Sequence, residues 1–376
     1  MAQNFFSFSL HERTQDAFVA WLCSCYNEPV SSVKHIVAEE FIKKLLGVKR
    51  PGVSVNFQSV EVETQIYDID ILLTLKDVNK TGNDYYVVIE DKINSQIHDN
   101  QLVRYIRNLI KKKKTSEDHI YVVYYKTGHV ANTPDCIKLV NPVKCHYVFD
   151  PNVKSEYDEV MSVTTTYPHL AGMNICYFKD IYDFFCSNPL ISRCGCFILD
   201  DYADHIDAEY NRYNSGVIDA ENGRTESQWE RIFDDSITRN KSKYPDLLFK
   251  LAFTGSYWEI YVTKKLTGTG VQTCTDPILN VRSTIFEGVR FTSKNPKIYF
   301  FVYDKLTTIP ALKTHLKSAT YDIPTYNPTF YHGKLTSSNY LKSNISEKDI
   351  EDLLDAICEE YDRVCSSGFK VAFSLL

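Results

Sequence analysis

The reading of the fold turns on three segments between Ile66 and Tyr105: IYDIDILLTL at 66–75, YYVVIEDKI at 85–93 and QLVRY at 101–105. The first two are dense in Ile, Val, Leu and Tyr, as strands are, and Asn79, Gly82 and Asn83 mark a turn between them. Residues i and i+2 of a strand share a face, so Glu90 and Lys92 lie side by side while the Asp91 side chain points away. If the two strands pair as a hairpin, Asp70 joins the same cluster. Two carboxylates and a lysine at the ends of apolar strands are costly to bury without a partner. A hard divalent cation is such a partner, since Mg²⁺ takes oxygen ligands and keeps several waters, and the peptide carbonyl of Asp91 adds a further oxygen. Taken alone, Glu-x-Lys is explained equally well by a solvated ion pair. The context adds weight, because YYVVI turns charged only at its end.

Working outward, Thr14 to Cys25 (TQDAFVAWLCSC) carries a helical apolar face with Thr14 placed to cap it. A second helix is predicted from Val33 to Leu46, stopped by Gly47 with Pro51 following. Val53 to Val62 alternates like a strand. Gln96 to Lys114 is helical, with Ile97, Leu102, Ile106 and Leu109 as its apolar markers, and His119 to Tyr125 returns to strand. Asn174 to Phe178 is a further strand leading into a helix through Phe184 and Phe185. The expectation is an α/β core with helices packed on a mixed sheet.

The whole chain of 376 residues allows about two domains at roughly 150 residues each. We place them at 1–200 and 201–376. Asp200 to Asp235 holds eleven acidic residues against Arg212, Arg224 and Arg231, and reads as surface helices broken near Asn222-Gly223. Strands at 258–263 and 297–303, an aromatic stretch from Tyr321 to Tyr331 and a helix from Glu347 to Val364 make the second region α+β.

Composition sets limits. Lys+Arg 42 against Asp+Glu 48 gives a net charge of -6, which excludes a wholly basic coat protein but leaves room for a local basic groove. There is no apolar run of about 20 residues and no secretory pattern in Met1 to Leu10, so the expectation is a cytoplasmic protein with no membrane partner. The 11 cysteines include Cys23-Ser24-Cys25 and Cys194-Gly195-Cys196, but neither pair has a partner at zinc-site spacing; free thiols are expected. No phosphate loop, no G-x-S-x-G elbow and no H-E-x-x-H pair is present.

Gln101 and Tyr105 stand four residues apart and stack on one helix face. With them the pattern is complete: Asp70, Glu90-Asp91-Lys92 and Gln101-x-x-x-Tyr105 resemble the active-site signature of the PD-(D/E)XK nuclease superfamily, in its bacterial branch with a Gln-x-x-x-Tyr motif. The residue before the family's first Asp is normally Pro and here is Ile69. Asp68 competes for that position with the same strand parity, and the Asp-Ile-Leu-Leu run favours Asp70. HERTQDAFVAWLC resembles the opening helix of bacterial members, whose acidic residue often helps to bind metal; Glu12 or Asp16 would match.

The resemblance implies a restriction-endonuclease-like core over about the first 200 residues, with metal-dependent phosphodiester hydrolysis as its activity. Asp70, Glu90 and the Asp91 carbonyl would hold Mg²⁺ or Mn²⁺, with Glu12 as a further acidic ligand. Lys92 would position the attacking water and stabilise charge developing at phosphorus, and Gln101 and Tyr105 would orient the phosphate or the nucleophile. Arg104, Arg107 and the run Lys111, Lys112, Lys113, Lys114 supply positive charge for a nucleic acid, with DNA expected and RNA the alternative; a solvated helix end explains the lysine run as readily. By analogy such proteins serve defence against foreign DNA, including phage defence, or DNA repair. The C-terminal region would recognise substrate or a partner protein, and a homodimer would suit double-strand cleavage. The competing reading is a catalytically silent nuclease-like fold that binds nucleic acid or protein.

Overall fold

The computed structural model describes residues 6, 12–47, 57–77, 84–93, 95–97, 100–132, 137–141, 146–149, 154–193, 195–219, 226–240, 243, 247–253, 258–264, 278–283, 297–301, 330–334, 344–348, 351 and 355. The chain forms two compact units, one of residues 1–130 and 156–214, the other of residues 131–155 and 215–376. In chain order the first unit starts with helices α1 (Glu12–Ser24) and α2 (Val33–Leu45). Strands β1 (Phe57–Ile66), β2 (Ile69–Asp77) and β3 (Tyr85–Lys92) follow, then helix α3 (Gln101–Lys113) and strand β4 (Ile120–Lys126). The hairpin β5 (Ile137–Asn141) and β6 (His146–Phe149) belongs to the second unit. The first unit resumes with α4 (Glu156–Thr166), β7 (Gly172–Cys176), α5 (Phe178–Ser187) and α6 (Phe197–Asn214).

Its sheet has the order β1-β2-β3-β4-β7. β1, β2 and β3 are antiparallel neighbours, whereas β3–β4 and β4–β7 are parallel. Parallel pairing needs a crossover, and α3 supplies the one between β3 and β4. Strand alternation then sorts the side chains. Ile71, Leu73, Val87, Ile89, Val123 and Tyr125 pack under α1, α2, α5 and α6, while Leu72, Val88, Val122 and Tyr124 pack under α3 and α4. With helices on both faces, the central strands become continuous apolar runs, and this is why YYVVI and IYVVYY read as they do. The mixed α/β sheet expected from the sequence is the observed architecture.

The boundaries moved for identifiable reasons. IYDIDILLTL is not one strand: Ile66 ends β1, Ile69 begins β2, and Tyr67 and Asp68 form a two-residue hairpin loop with φ of 56° and 69°. Both central residues at positive φ define the tight turn that matches strand twist. Without Asn or Gly, the turn was hidden in the sequence. The first helix starts at Glu12, ahead of Thr14, and the helix expected from Gln96 starts at Gln101. Helix α4 was missed altogether. The part of the expected β1 at 53–56 and the break at Asn222-Gly223 lie outside the described residues, as do Tyr321 to Thr329.

The second unit carries a five-stranded antiparallel sheet. Strands β9 (Leu247–Phe253), β10 (Trp258–Lys264), β11 (Ile278–Ser283), β12 (Lys297–Phe301) and β13 (Phe330–Lys334) lie in the order β13-β12-β11-β10-β9; the unit also holds β8 (Val217–Asp219), α7 (Glu226–Asn240) and β14 (Asn344–Ser346), which pairs with β8. This is an α+β region. Of the helix expected from Glu347 to Val364, residues 347, 348, 351 and 355 are described and helical. Among the described residues no helix is long and apolar enough to cross a membrane.

Gly47 ends α2 at φ +70°, and the Asn174 side chain from β7 caps the helix by donating to the carbonyls of Lys44 (3.0 Å) and Leu45 (2.9 Å). A β-carbon at position 47 would lie 3.3 Å from Asn174 Cγ. Left-handed backbone costs a residue with a β-carbon about 1–2 kcal/mol. Gly47→Ala is therefore expected to lower the unfolding free energy by an amount in this range, read as a lower urea midpoint at unchanged m, and an unchanged midpoint would contradict the role of this cap.

Candidate active site

The register that pairs Ile71 with Ile89 brings Asp70 level with Glu90 one step further along. The hairpin turn removes Asp68 from contention, since it is exposed in the loop. Asp70 Oδ2 accepts the backbone N–H of Asp91 at 3.2 Å. Glu90 is 0% exposed and Lys92 7%. The Lys92 ammonium lies 2.5 Å from Glu90 Oε1 and 3.8 Å from Asp70 Oδ2, and it donates to the Asp91 carbonyl at 3.1 Å. Asp70, Glu90 and Lys92 share the parity of Leu72 and Val88, so all three face α3.

Helix α3 delivers Gln101 and Tyr105 to that face. Both are buried, and the Gln101 amide donates to the Tyr105 hydroxyl. Burial pushes the Tyr105 hydroxyl up to about 12, and the Gln101 bond and Lys92 pull against the charges of Glu90 and Asp70. The phenol thus lies within electrostatic reach of the strand cluster.

Asp91 faces the other way, into the layer under α1. It is 1% exposed, and Gln15 Nε2 donates to its Oδ1 at 2.5 Å. Gln15 Oε1 in turn accepts from Thr127 (3.0 Å) and Tyr202 (3.4 Å). Burial, followed by the neighbouring Asp16 charge, raises the Asp91 carboxyl well above the usual range. Asp16 is itself pushed up to about 6 by burial and by Asp70. Gln65, at φ 54° beside the hairpin turn, donates to Asp16 (3.2 Å) and Asp70 (3.3 Å). Glu12, one turn before Asp16, accepts from Ser95 Oγ and from the Ile93 N–H (3.5 Å). Both acidic residues of α1 therefore reach the cluster, Asp16 toward Asp70 and Glu12 beside the segment after Lys92.

The basic residues divide. Arg104, Arg107, Lys111, Lys112 and Lys114 are exposed. At 100° per residue, Arg104, Arg107 and Lys111 fall within about 60° of one another, opposite the buried Leu102, Ile106 and Leu109. Lys113 instead pairs with Glu63 of β1 at 3.0 Å and lies over the Tyr67 ring.

The donor set can be tested against a divalent cation. Two carboxylates and one carbonyl converge on the Lys92 ammonium, so the site already gathers oxygen around positive charge. Neither Glu90 oxygen makes a hydrogen bond of good geometry among the described residues. No three His, Cys, Asp or Glu side chains form a cage among the described residues. Mg²⁺ is commonly held by one or two carboxylates together with substrate phosphate and water, and needs no such cage. The residues fit the ion.

Residues 4–180 match the family model of the PD-(D/E)XK nuclease superfamily. The mixed sheet with flanking helices in this part of the chain is consistent with the core of that superfamily. No match was found among curated proteins or among solved structures.

Gln15, Gln65, Thr127, Lys126 and Glu156 surround the cluster and were not singled out in the sequence. Gln15 alone carried a legible signal: Glu12, Gln15 and Asp16 are spaced i, i+3, i+4 at the start of a helix whose later residues are mostly apolar. The others depend on which strands become neighbours.

Burial, with the Asp70 charge second, pushes Glu90 up to about 8 from an ordinary 4.5, against the pull of Lys92. Burial alone would lower the Lys92 ammonium, but Glu90 and Asp70 override it and raise it. The folded, metal-free chain thus keeps carboxyl protons that the unfolded chain releases. Its stability falls as pH rises through this interval, each pKa unit of difference being worth about 1.4 kcal/mol. In chelator the melting temperature is expected to drop between pH 5 and pH 9, and Glu90→Gln to flatten the upper part of that slope. A Glu90→Gln profile parallel to the unsubstituted one would refute the assignment of the buried proton.

Proposed function

We propose that the chain is a metal-dependent nuclease that hydrolyses phosphodiester bonds, with DNA as substrate. The observation that carries this reading is the convergence of Asp70, Glu90, the Asp91 carbonyl and Lys92 beside Tyr105. Asp70, Glu90 and the Asp91 carbonyl would hold Mg²⁺ or Mn²⁺, with Asp16 or Glu12 as the acidic residue from α1. When bound, the ion would orient the scissile phosphate and acidify water. Lys92, charged at neutral pH, then holds the attacking water and offsets charge developing on the phosphate. Gln101 and Tyr105 orient the phosphate from the helix. The exposed stripe of Arg104, Arg107 and Lys111, with Lys112 and Lys114, tracks the nucleic-acid backbone. Lys113 contributes less, because Glu63 already matches its charge. The second unit serves recognition of substrate or partner.

One observation favours a second reading. Lys92 already supplies a cation to Glu90 and the Asp91 carbonyl, so a silent, binding-only protein would need no metal. Cleavage of labelled DNA across a Mn²⁺ titration separates the two, because metal-dependent cleavage that Glu90→Gln abolishes belongs to the enzyme alone.

Lys92→Ala is expected to lower cleavage of labelled DNA by about 10²–10³-fold, the usual cost of one preorganised charge at a transition state, with circular dichroism unchanged. Asp91→Asn should keep much of the activity, because only the backbone of Asp91 serves the cation. Equal damage from both substitutions would remove the basis for this site. Replacing Arg104, Arg107 and Lys111 by Ala should weaken DNA binding at every sequence and reduce the salt slope by about 0.9 for each phosphate no longer neutralised; an unchanged slope would exclude the stripe.

A further inference from the structure

Lys126 is the most deeply buried cation of the first unit among the described residues. Its side chain and that of Glu156 are both 0% exposed and lie 3.1 Å apart. It stands at the end of β4, in parallel register beside Lys92, where its strand face has carried Val122 and Tyr124. A buried ion pair is a poor source of stability, since desolvation offsets most of the attraction. What it does supply here is direction. The Lys126 ammonium donates to the Ser95 carbonyl at 2.5 Å, and Glu156 also takes the hydroxyl of Tyr124. Ser95 in turn donates to Glu12.

The other end of the same connection is held from the same helix. Asn100, in left-handed backbone at φ 51°, donates its N–H to Glu159 at 2.8 Å. Its carbonyl accepts the N–H of Arg104 at 3.0 Å and so starts α3. Glu156 and Glu159 both lie in the first turn of α4. One helical turn therefore grips the link between Lys92 and Gln101 near both of its ends, once through Lys126 and once directly.

We propose that Lys126 is a positioning residue: with Glu156 and Glu159 it holds the β3–α3 connection so that Gln101 and Tyr105 meet Glu90 and Lys92 in fixed geometry. The inference rests on the nuclease reading for its catalytic consequence. The metal donors Asp70, Glu90 and the Asp91 carbonyl sit on strands outside the clamp, and Glu12 touches it only through Ser95. Loss of the clamp should therefore separate turnover from metal affinity.

Three variants test this. Glu159→Ala removes one grip at a half-exposed position. Glu159→Gln keeps an acceptor. The double variant Lys126→Met with Glu156→Gln removes the other grip without stranding a buried charge. The readouts are single-turnover cleavage of labelled DNA, Mn²⁺ affinity by calorimetry, melting temperature, and amide hydrogen exchange at Arg104. Glu159→Ala and the double variant should each lose about tenfold in turnover, as outer supports of a site commonly do. They should exchange faster at Arg104 and bind Mn²⁺ as the unsubstituted chain does; Glu159→Gln should recover most of the turnover. Unchanged turnover and exchange would overturn the inference, as would turnover, Mn²⁺ affinity and melting temperature falling together. If the unsubstituted chain binds Mn²⁺ but cleaves nothing, the nuclease reading fails; exchange at Arg104 then decides the clamp, and no acceleration in Glu159→Ala overturns it. Should the double variant not fold, Glu159→Ala and Glu159→Gln carry the decision.

Discussion

The structure depends on how the buried strand β3 ends. Five residues of apolar ladder, Tyr85 to Ile89, are followed by three charged ones that stay in the sheet. A strand flanked by helices on both faces cannot hand its last side chains to water, so each must find a partner inside. Glu90 and Lys92 find one another and Asp70. Asp91, with the opposite parity, finds Gln15. Alternation thus divides one tripeptide between two layers, and the helices that pack there are committed to polar residues at matching positions. Gln15 on α1 and Gln101 with Tyr105 on α3 are those residues.

The same alternation explains what could be read from the sequence and what could not. Glu90, Lys92 and the opposed direction of Asp91 follow from strand parity alone, and Gln101 and Tyr105 from helical spacing. Asp70 was identifiable as soon as a hairpin was assumed, but Asp68 could be dismissed only from the structure. Its turn contains Tyr67 and Asp68 where a legible turn would carry Asn-Gly, and the apolar residues run straight through it. Lys126 and Glu156 were out of reach for another reason. They are 30 residues apart, and their pairing exists only because β4 lies parallel to β3 and the chain returns through α4 after the hairpin of the second unit. No local pattern encodes a crossover partner. The lysine run gave a partial answer, since the sequence put Arg104, Arg107 and Lys111 to Lys114 on one helix but could not show that Lys113 would meet Glu63.

Charge balance connects the two layers to chemistry. Asp70, Glu90, Asp91 and Asp16 crowd a small region, and Lys92 is the cation placed among them. Lys126 does not help, because Glu156 holds it. Burial first, and neighbouring negative charge second, raises the carboxyl groups of Glu90, Asp91 and Asp16, and one lysine does not offset both. A divalent cation would offset the same negative charge without protons, and would release the carboxyl protons as it bound. Asp91 spans the two layers, since its carboxyl accepts from Gln15 on the α1 side while its carbonyl accepts from Lys92. A single residue so satisfies both layers, and the strand end that looked costly to bury becomes the element from which helices α1 and α3 take their positions.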